Sequence, residues 1–113
     1  MIPASVRIFV CTKPQDMRRS FDGLALTAQQ VLSEDPRSGA LFVFTNKRRS
    51  RLKVLWWDRN GYCLLTKRLH GALFQLPVPS GSSDSKAAIN GRALGELLRG
   101  IASMRRGRAR DRS

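Results

Sequence analysis

Five cations fall within seven residues in the run Lys47-Arg48-Arg49-Ser50-Arg51-Leu52-Lys53. Guanidinium and ammonium groups at that density suit the neutralisation of phosphates and the reading of guanine edges in nucleic acid. Arg49, Arg51 and Lys53 alternate, so on a strand they project from one face together. By the same count Leu52, Val54 and Trp56 face a core. Leu55 and Trp57 then share the cationic face, where Trp57 could stack on an unpaired base. Lys67 and Arg68 end a following strand, near the same sheet face or edge. Arg18 and Arg19 precede a helix, where two guanidiniums beside exposed helix N–H groups would make a phosphate seat. The plainer alternatives are a solvated, charged hairpin and ion pairs from Arg18 and Arg19 to Asp16 or Asp22.

Other chemistry is poorly supported. Asp16, Asp22 and Asp58 could gather around Mg²⁺ for phosphoryl transfer. Yet Asp58 beside Asn60-Gly61 reads as a turn acid, and Asp16 as a turn or helix-cap acid. No Gly-rich phosphate loop with a lysine follows a strand, and nothing suggests a Ser/His/Asp or Cys/His pairing. His70, the single histidine, sits before Gly71 in a connection between strands and reads as solvated. Cys11 and Cys63 lie in apolar, strand-like segments and read as buried, reduced thiols, which fits the cytoplasm. With His70 they are too few ligands for zinc. The expectation is a protein that is not an enzyme and carries no metal or cofactor.

The elements that must position the cations can be read from periodicity. Val6 to Thr12 reads as a strand and Lys13-Pro14-Gln15-Asp16 as a turn. From Ser20 onward, Phe21, Leu24, Ala28, Val31 and Leu32 form a helical stripe that must end before Pro36. Ala40 to Thr45 and Arg51 to Trp57 read as strands joined by the short loop Asn46 to Ser50. Asn60-Gly61 is a hairpin cue, because both residues tolerate positive φ. Tyr62 to Lys67 returns as the next strand, and Leu73 to Leu76 adds an edge strand. The pattern predicts an α+β fold: an antiparallel β-meander of about four to five strands packed by one main helix.

The domain organisation follows from composition. Residues 1–76 read as the compact α+β unit and residues 77–89, rich in Pro, Gly and Ser, as a linker. Residues 90–102 form a short helix capped by Asn90, with Leu94, Leu97, Leu98 and Ile101 on one stripe. Residues 103–113 read as a basic tail, disordered in isolation.

The whole chain has 113 residues, of which 42% are hydrophobic, with 21 Lys+Arg against 8 Asp+Glu and a net charge of +13. That composition allows one modest core, and the charge makes a polyanion the first partner to consider. No apolar run approaches the ~20 residues of a membrane-spanning helix. The opening residues, Met1-Ile2-Pro3-Ala4-Ser5-Val6-Arg7, lack the pattern of a secretory signal. No membrane partner is expected.

Three stretches together carry a family resemblance. They are Asp16-Met17-Arg18-Arg19-Ser20-Phe21-Asp22-Gly23-Leu24, Pro36-Arg37-Ser38-Gly39-Ala40-Leu41-Phe42-Val43-Phe44, and Lys53-Val54-Leu55-Trp56-Trp57-Asp58-Arg59-Asn60-Gly61. Lys47-Arg48-Arg49 and Lys67-Arg68-Leu69 complete the pattern. In this order the chain resembles the small TnpB (Orf2-like) accessory proteins of the IS66 family of bacterial insertion sequences, which are distinct from the RNA-guided nucleases of the same name. The likeness spans about residues 2–76 and extends to the helix from Leu94 to Ile101. The chain departs from the pattern at His70, where an acid is usual, near Gln75-Leu76-Pro77, where a tryptophan is frequent, and in its arginine-rich tail. The resemblance implies an accessory factor for transposition, encoded beside a separate transposase that cuts and joins DNA. Joined to the charge pattern, it sets the expectation of DNA contact through Arg18, Arg19, Lys47, Arg48, Arg49, Arg51, Lys53, Trp57, Lys67 and Arg68, with the transposase as a second partner. The alternative is an adaptor that docks to the transposase without touching DNA, through Leu55, Trp57 and the C-terminal helix.

Overall fold

A computed structural model describes residues 5–81 and 84–102. Its centre is set by two apolar runs, Ile8–Cys11 (β1) and Leu41–Thr45 (β2), in which nearly every residue is buried. An apolar run without alternation marks a strand covered on both faces. β1 and β2 pair in parallel, with Phe9 opposite Phe42 and Val10 opposite Val43. A parallel pair needs a long crossover, and Phe21–Gln30 (α1) supplies it. From β2 the chain turns back antiparallel through Arg51–Asp58 (β3) and again through Gly61–Arg68 (β4). Lys86–Ile89 (β6) closes the other side, antiparallel to β1. The sheet order is β4-β3-β2-β1-β6. The fold is α+β, as the periodicity predicts.

Each face of the sheet carries a helix. On one face Leu24, Ala25, Ala28 and Leu32 from α1 and its exit pack on Phe9, Cys11, Phe42, Phe44 and Leu55. On the other, Leu94 and Leu97 of Gly91–Arg99 (α2) join Ile8, Val10, Val43, Leu52 and Val54. Asn90 caps α2, its side chain accepting from the Ala93 amide at 2.8 Å, as expected of an asparagine at this position. Gly100 follows with φ +71, where an added Cβ would meet Leu69 at 2.6 Å.

The structure corrects several expectations. The meander is confined to β2-β3-β4, because the α1 crossover makes β1 a parallel neighbour of β2. Phe21 and Val31 are 45% and 38% exposed; the buried stripe turns instead on Leu24, Ala25, Thr27 and Ala28. The stretch expected as a linker ends in β6, whose Ala87 is buried. Lys86 there ties to Glu34 at 2.6 Å and lies 5.2 Å from the Phe9 ring, so this strand is anchored to the exit of α1. Ala72–Leu73 (β5) pairs not with the meander but with Ile101–Ala102 (β7), in a separate two-stranded sheet. At the β3–β4 turn the left-handed residue is Arg59, φ 58, and neither Asn60 nor Gly61 has positive φ. Asp58 pairs with Gly61, so Arg59-Asn60 forms the loop and Gly61 begins the strand.

Cys11 and Cys63 are free thiols, the first buried and the second half-buried. They stand on opposite faces with two strands between β1 and β4, roughly 14 Å apart at the strand spacing, too far to bridge. Burial pushes the Cys11 thiol above its ordinary value, as expected of an inert core cysteine. Among the described residues, no helix is long and apolar enough to cross a membrane. The expected basic tail at 103–113, and Ser82-Ser83 of the expected linker, lie outside the described residues.

Candidate nucleic-acid interface

The loop between β2 and β3 is organised by one side chain. The Asn46 Oδ1 accepts the amides of Ser50 and Arg51 at 2.9 and 3.0 Å, and its Nδ2 donates to the Ser50 hydroxyl at 3.2 Å. Arg49 takes a left-handed φ of 61, a conformation that most residues other than glycine avoid. Its carbonyl accepts the amide of buried Phe74 at 2.7 Å, and the Ser50 carbonyl accepts the Leu69 amide at 2.8 Å. One later stretch of chain, Leu69 to Phe74, therefore ties down two successive carbonyls of this loop. Lys47, Arg48 and Arg49 are carried on it, exposed.

Directly below the loop, Arg51 on β3 pairs across the ladder with Arg68 on β4. Facing residues bring their Cβ atoms within about 5.5 Å, and like charges so placed destabilise a sheet. Among the described residues no carboxylate lies within ion-pair reach of Lys47, Arg48, Arg49, Arg51 or Arg68, and none of their five side chains makes a hydrogen bond. Two hollows adjoin the Arg51–Arg68 pair. One, of about 530 Å³, is lined by Arg48, Asn46, Ser50 and His70 beside the two arginines. The other, of about 320 Å³, adds Met17, Lys53 and Thr66. Among the described residues neither has an acid in its wall.

The remaining expected residues are engaged or stand elsewhere. Arg18 is held by Asp16 through its Nε and a 2.7 Å contact from its terminal nitrogen. The Arg19 guanidinium donates to the Thr27 hydroxyl at 2.8 Å, so in the protein alone both guanidiniums are engaged at the approach to α1. Lys53 donates to the Arg19 carbonyl at 2.7 Å, locking β3 to the approach of α1. Lys67 lies on the opposite face from Arg68 and donates to the Leu98 carbonyl at 2.6 Å. A cation there satisfies a carbonyl near the C-terminal end of α2 and complements the helix dipole.

The aromatic side of the expected interface is corrected. Leu55 is completely buried, because its face of β3 lies under α1. Trp57 shares that face but stands six residues along from Arg51, about 20 Å away at the strand rise. The Arg37 guanidinium covers it at 4.6 Å and Tyr62 meets it edge-on at 4.9 Å. Trp57 therefore belongs to the turn end of the ribbon, beside Arg59, and the cluster of five cations to its loop end. His70, read as an isolated solvated residue, lines the larger hollow. Its position two residues after Arg68 was the available signal. Among the described residues, no three His, Cys, Asp or Glu side chains are placed to share a metal ion, so Asp16, Asp22 and Asp58 form no common site.

Comparison with known proteins agrees with the likeness carried by the motifs. The family model TnpB_IS66, described as IS66 Orf2 like protein, matches residues 6–108. The uncharacterized protein y4hO of Sinorhizobium fredii is 43% identical over 103 residues, covering 89% of this chain and 87% of its own length. The uncharacterized protein y4jC of the same organism is 42% identical over 72 residues, covering 64% of this chain and 62% of its own. No solved structure gives a significant match.

The Asp16–Arg18 contact makes a direct prediction. The Arg18 guanidinium, followed by the Arg18 amide, holds the Asp16 carboxyl down at about 2. The folded value is below the ordinary one of about 3.9, so any stability from this group is complete above about pH 4 and fades as pH falls through about 2. A carboxyl NMR titration should find the Asp16 midpoint near 2, moving toward about 4 in Arg18→Ala. A midpoint near 4 in the unaltered protein would mean that Arg18 is free.

Proposed function

The chain belongs to the IS66 Orf2-like family, and we propose that it serves transposition as an accessory protein that holds DNA through the loop end of its β3–β4 ribbon. A separate transposase of the same element is its working partner and carries the cutting and joining chemistry. The observation that carries the reading is the group of five cations, Lys47, Arg48, Arg49, Arg51 and Arg68, set at one end of the ribbon with no neutralising acid among the described residues. Such an arrangement is costly alone and is relieved by a polyanion, whose bound counterions are released on contact. Guanidiniums on a fixed loop contact phosphates chiefly and confer affinity and register before sequence choice.

A second reading, a protein-docking adaptor, has one observation in its favour. Val6, Leu41, Val54, Trp56, Leu65 and Leu94 line an apolar groove of about 610 Å³ between α2 and the sheet. The helix itself is not free to be offered to a partner, because Leu94 and Leu97 are buried against the chain's own sheet.

With ~5 phosphate contacts, a fourfold rise in salt should weaken DNA binding by roughly two to three powers of ten. Replacing Arg48, Arg49 and Arg51 together by Ala should flatten the slope of log affinity against log salt from about −4.5 to about −2, with little change in melting temperature. Gel shifts at several salt concentrations measure this, and affinity that does not respond to salt defeats the DNA reading. If a complex with the transposase survives nuclease treatment in that case, the adaptor reading takes its place.

A further inference from the structure

The larger hollow at the loop end is more specific than a charged surface. Arg48, Arg51 and Arg68 wall it from the loop, from β3 and from β4, with His70 beside them. Among the described residues none of these three guanidiniums makes an ion pair or a side-chain hydrogen bond. Their supports are fixed: Asn46 binds the loop to itself, while the Leu69 and Phe74 amides tie the segment around His70 back to Ser50 and Arg49. A hollow built in advance spares a ligand the cost of ordering its walls. Planar guanidinium forks match the oxygens of a phosphate, and several converging on one point favour a compact anion over a diffuse one.

We propose that this hollow seats a single phosphate group, held by Arg48, Arg51 and Arg68 with His70 at its edge. The inference deepens the DNA reading and rests on it for the source of the phosphate, which is either a backbone diester or the terminal monoester at a strand end. Phosphate recognition itself requires only the geometry of the hollow.

The test uses the full chain and two probes. Pyrophosphate, titrated at constant ionic strength against chloride, should raise the melting temperature saturably in the unaltered protein. The shift should vanish in Arg68→Ala and in Arg51→Gln, and should persist in Arg59→Ala, which alters a cation at the far end of the ribbon. Equal shifts from pyrophosphate and chloride, or a shift that survives Arg68→Ala, overturn the seat. Duplexes of one sequence with 5′-phosphate or 5′-hydroxyl ends then identify the source. A preference for the phosphorylated end, lost in Arg68→Ala, assigns the terminal monoester. Equal binding of both, with pyrophosphate competing, assigns the backbone diester. Salt-sensitive DNA binding without a pyrophosphate effect refutes the seat and leaves the DNA reading standing; a pyrophosphate effect without DNA binding supports the seat and refutes the DNA reading.

Discussion

A sheet covered by a helix on each face has nowhere to put charge except its ends, its edges and its loops. That constraint shapes this molecule. Phe9, Phe42, Phe44 and Leu55 lie beneath α1, and Ile8, Val10, Val43 and Val54 beneath α2. Sixteen of the 21 basic residues but only seven of the eight acids fall within residues 1–102, leaving a net charge of +9 to be displayed on what remains. Lys53 and Lys67 are engaged by carbonyls next to the two helices. Arg18 is neutralised by Asp16. Five others are left together at one end, where Arg51 and Arg68 face each other across the ladder.

Much of the fold was legible from periodicity, and the failures have physical causes. Alternation places residues on two faces but does not say which is buried, and in β3 both are. Leu52 and Val54 fill one core and Leu55 the other, so Leu55 could not accompany Arg51 to an exposed surface. The unbroken apolar runs of β1 and β2 already signalled burial on both sides, and strand, helix, strand is the sequence pattern of a parallel pair. β6 escaped notice because Lys86-Ala87-Ala88-Ile89 follows a Pro/Gly/Ser stretch and contains two alanines, a residue depleted in strands. It becomes a strand because β1 offers a free edge and Glu34 a partner for Lys86.

The site was legible in part. The density of Lys47 to Lys53 marked the loop end, and Asp16 two residues before Arg18 offered a visible competitor for that arginine. The engagement of Lys53 and Lys67 was hidden, since their acceptors lie 34 and 31 residues away in sequence. So was the separation of Trp57 from the cations, which depends on strand length and on Arg37 arriving from another loop. The ribbon thus divides into a cationic loop end and an aromatic turn end. Family membership places the chain in transposition, and the unbalanced loop end suggests what it contributes there.

The central claim is that the loop end is electrostatically unsatisfied in the protein alone and satisfied by DNA. Equilibrium unfolding of Arg68→Glu, with and without duplex DNA, tests it most directly. Without DNA, turning the Arg51–Arg68 repulsion into an attraction should raise stability by about 0.2–1 kcal/mol; with DNA, the variant should gain markedly less than the unaltered protein, because ligand stabilisation follows affinity. A variant that is less stable without DNA, or that gains as much from DNA as its parent, would contradict the account.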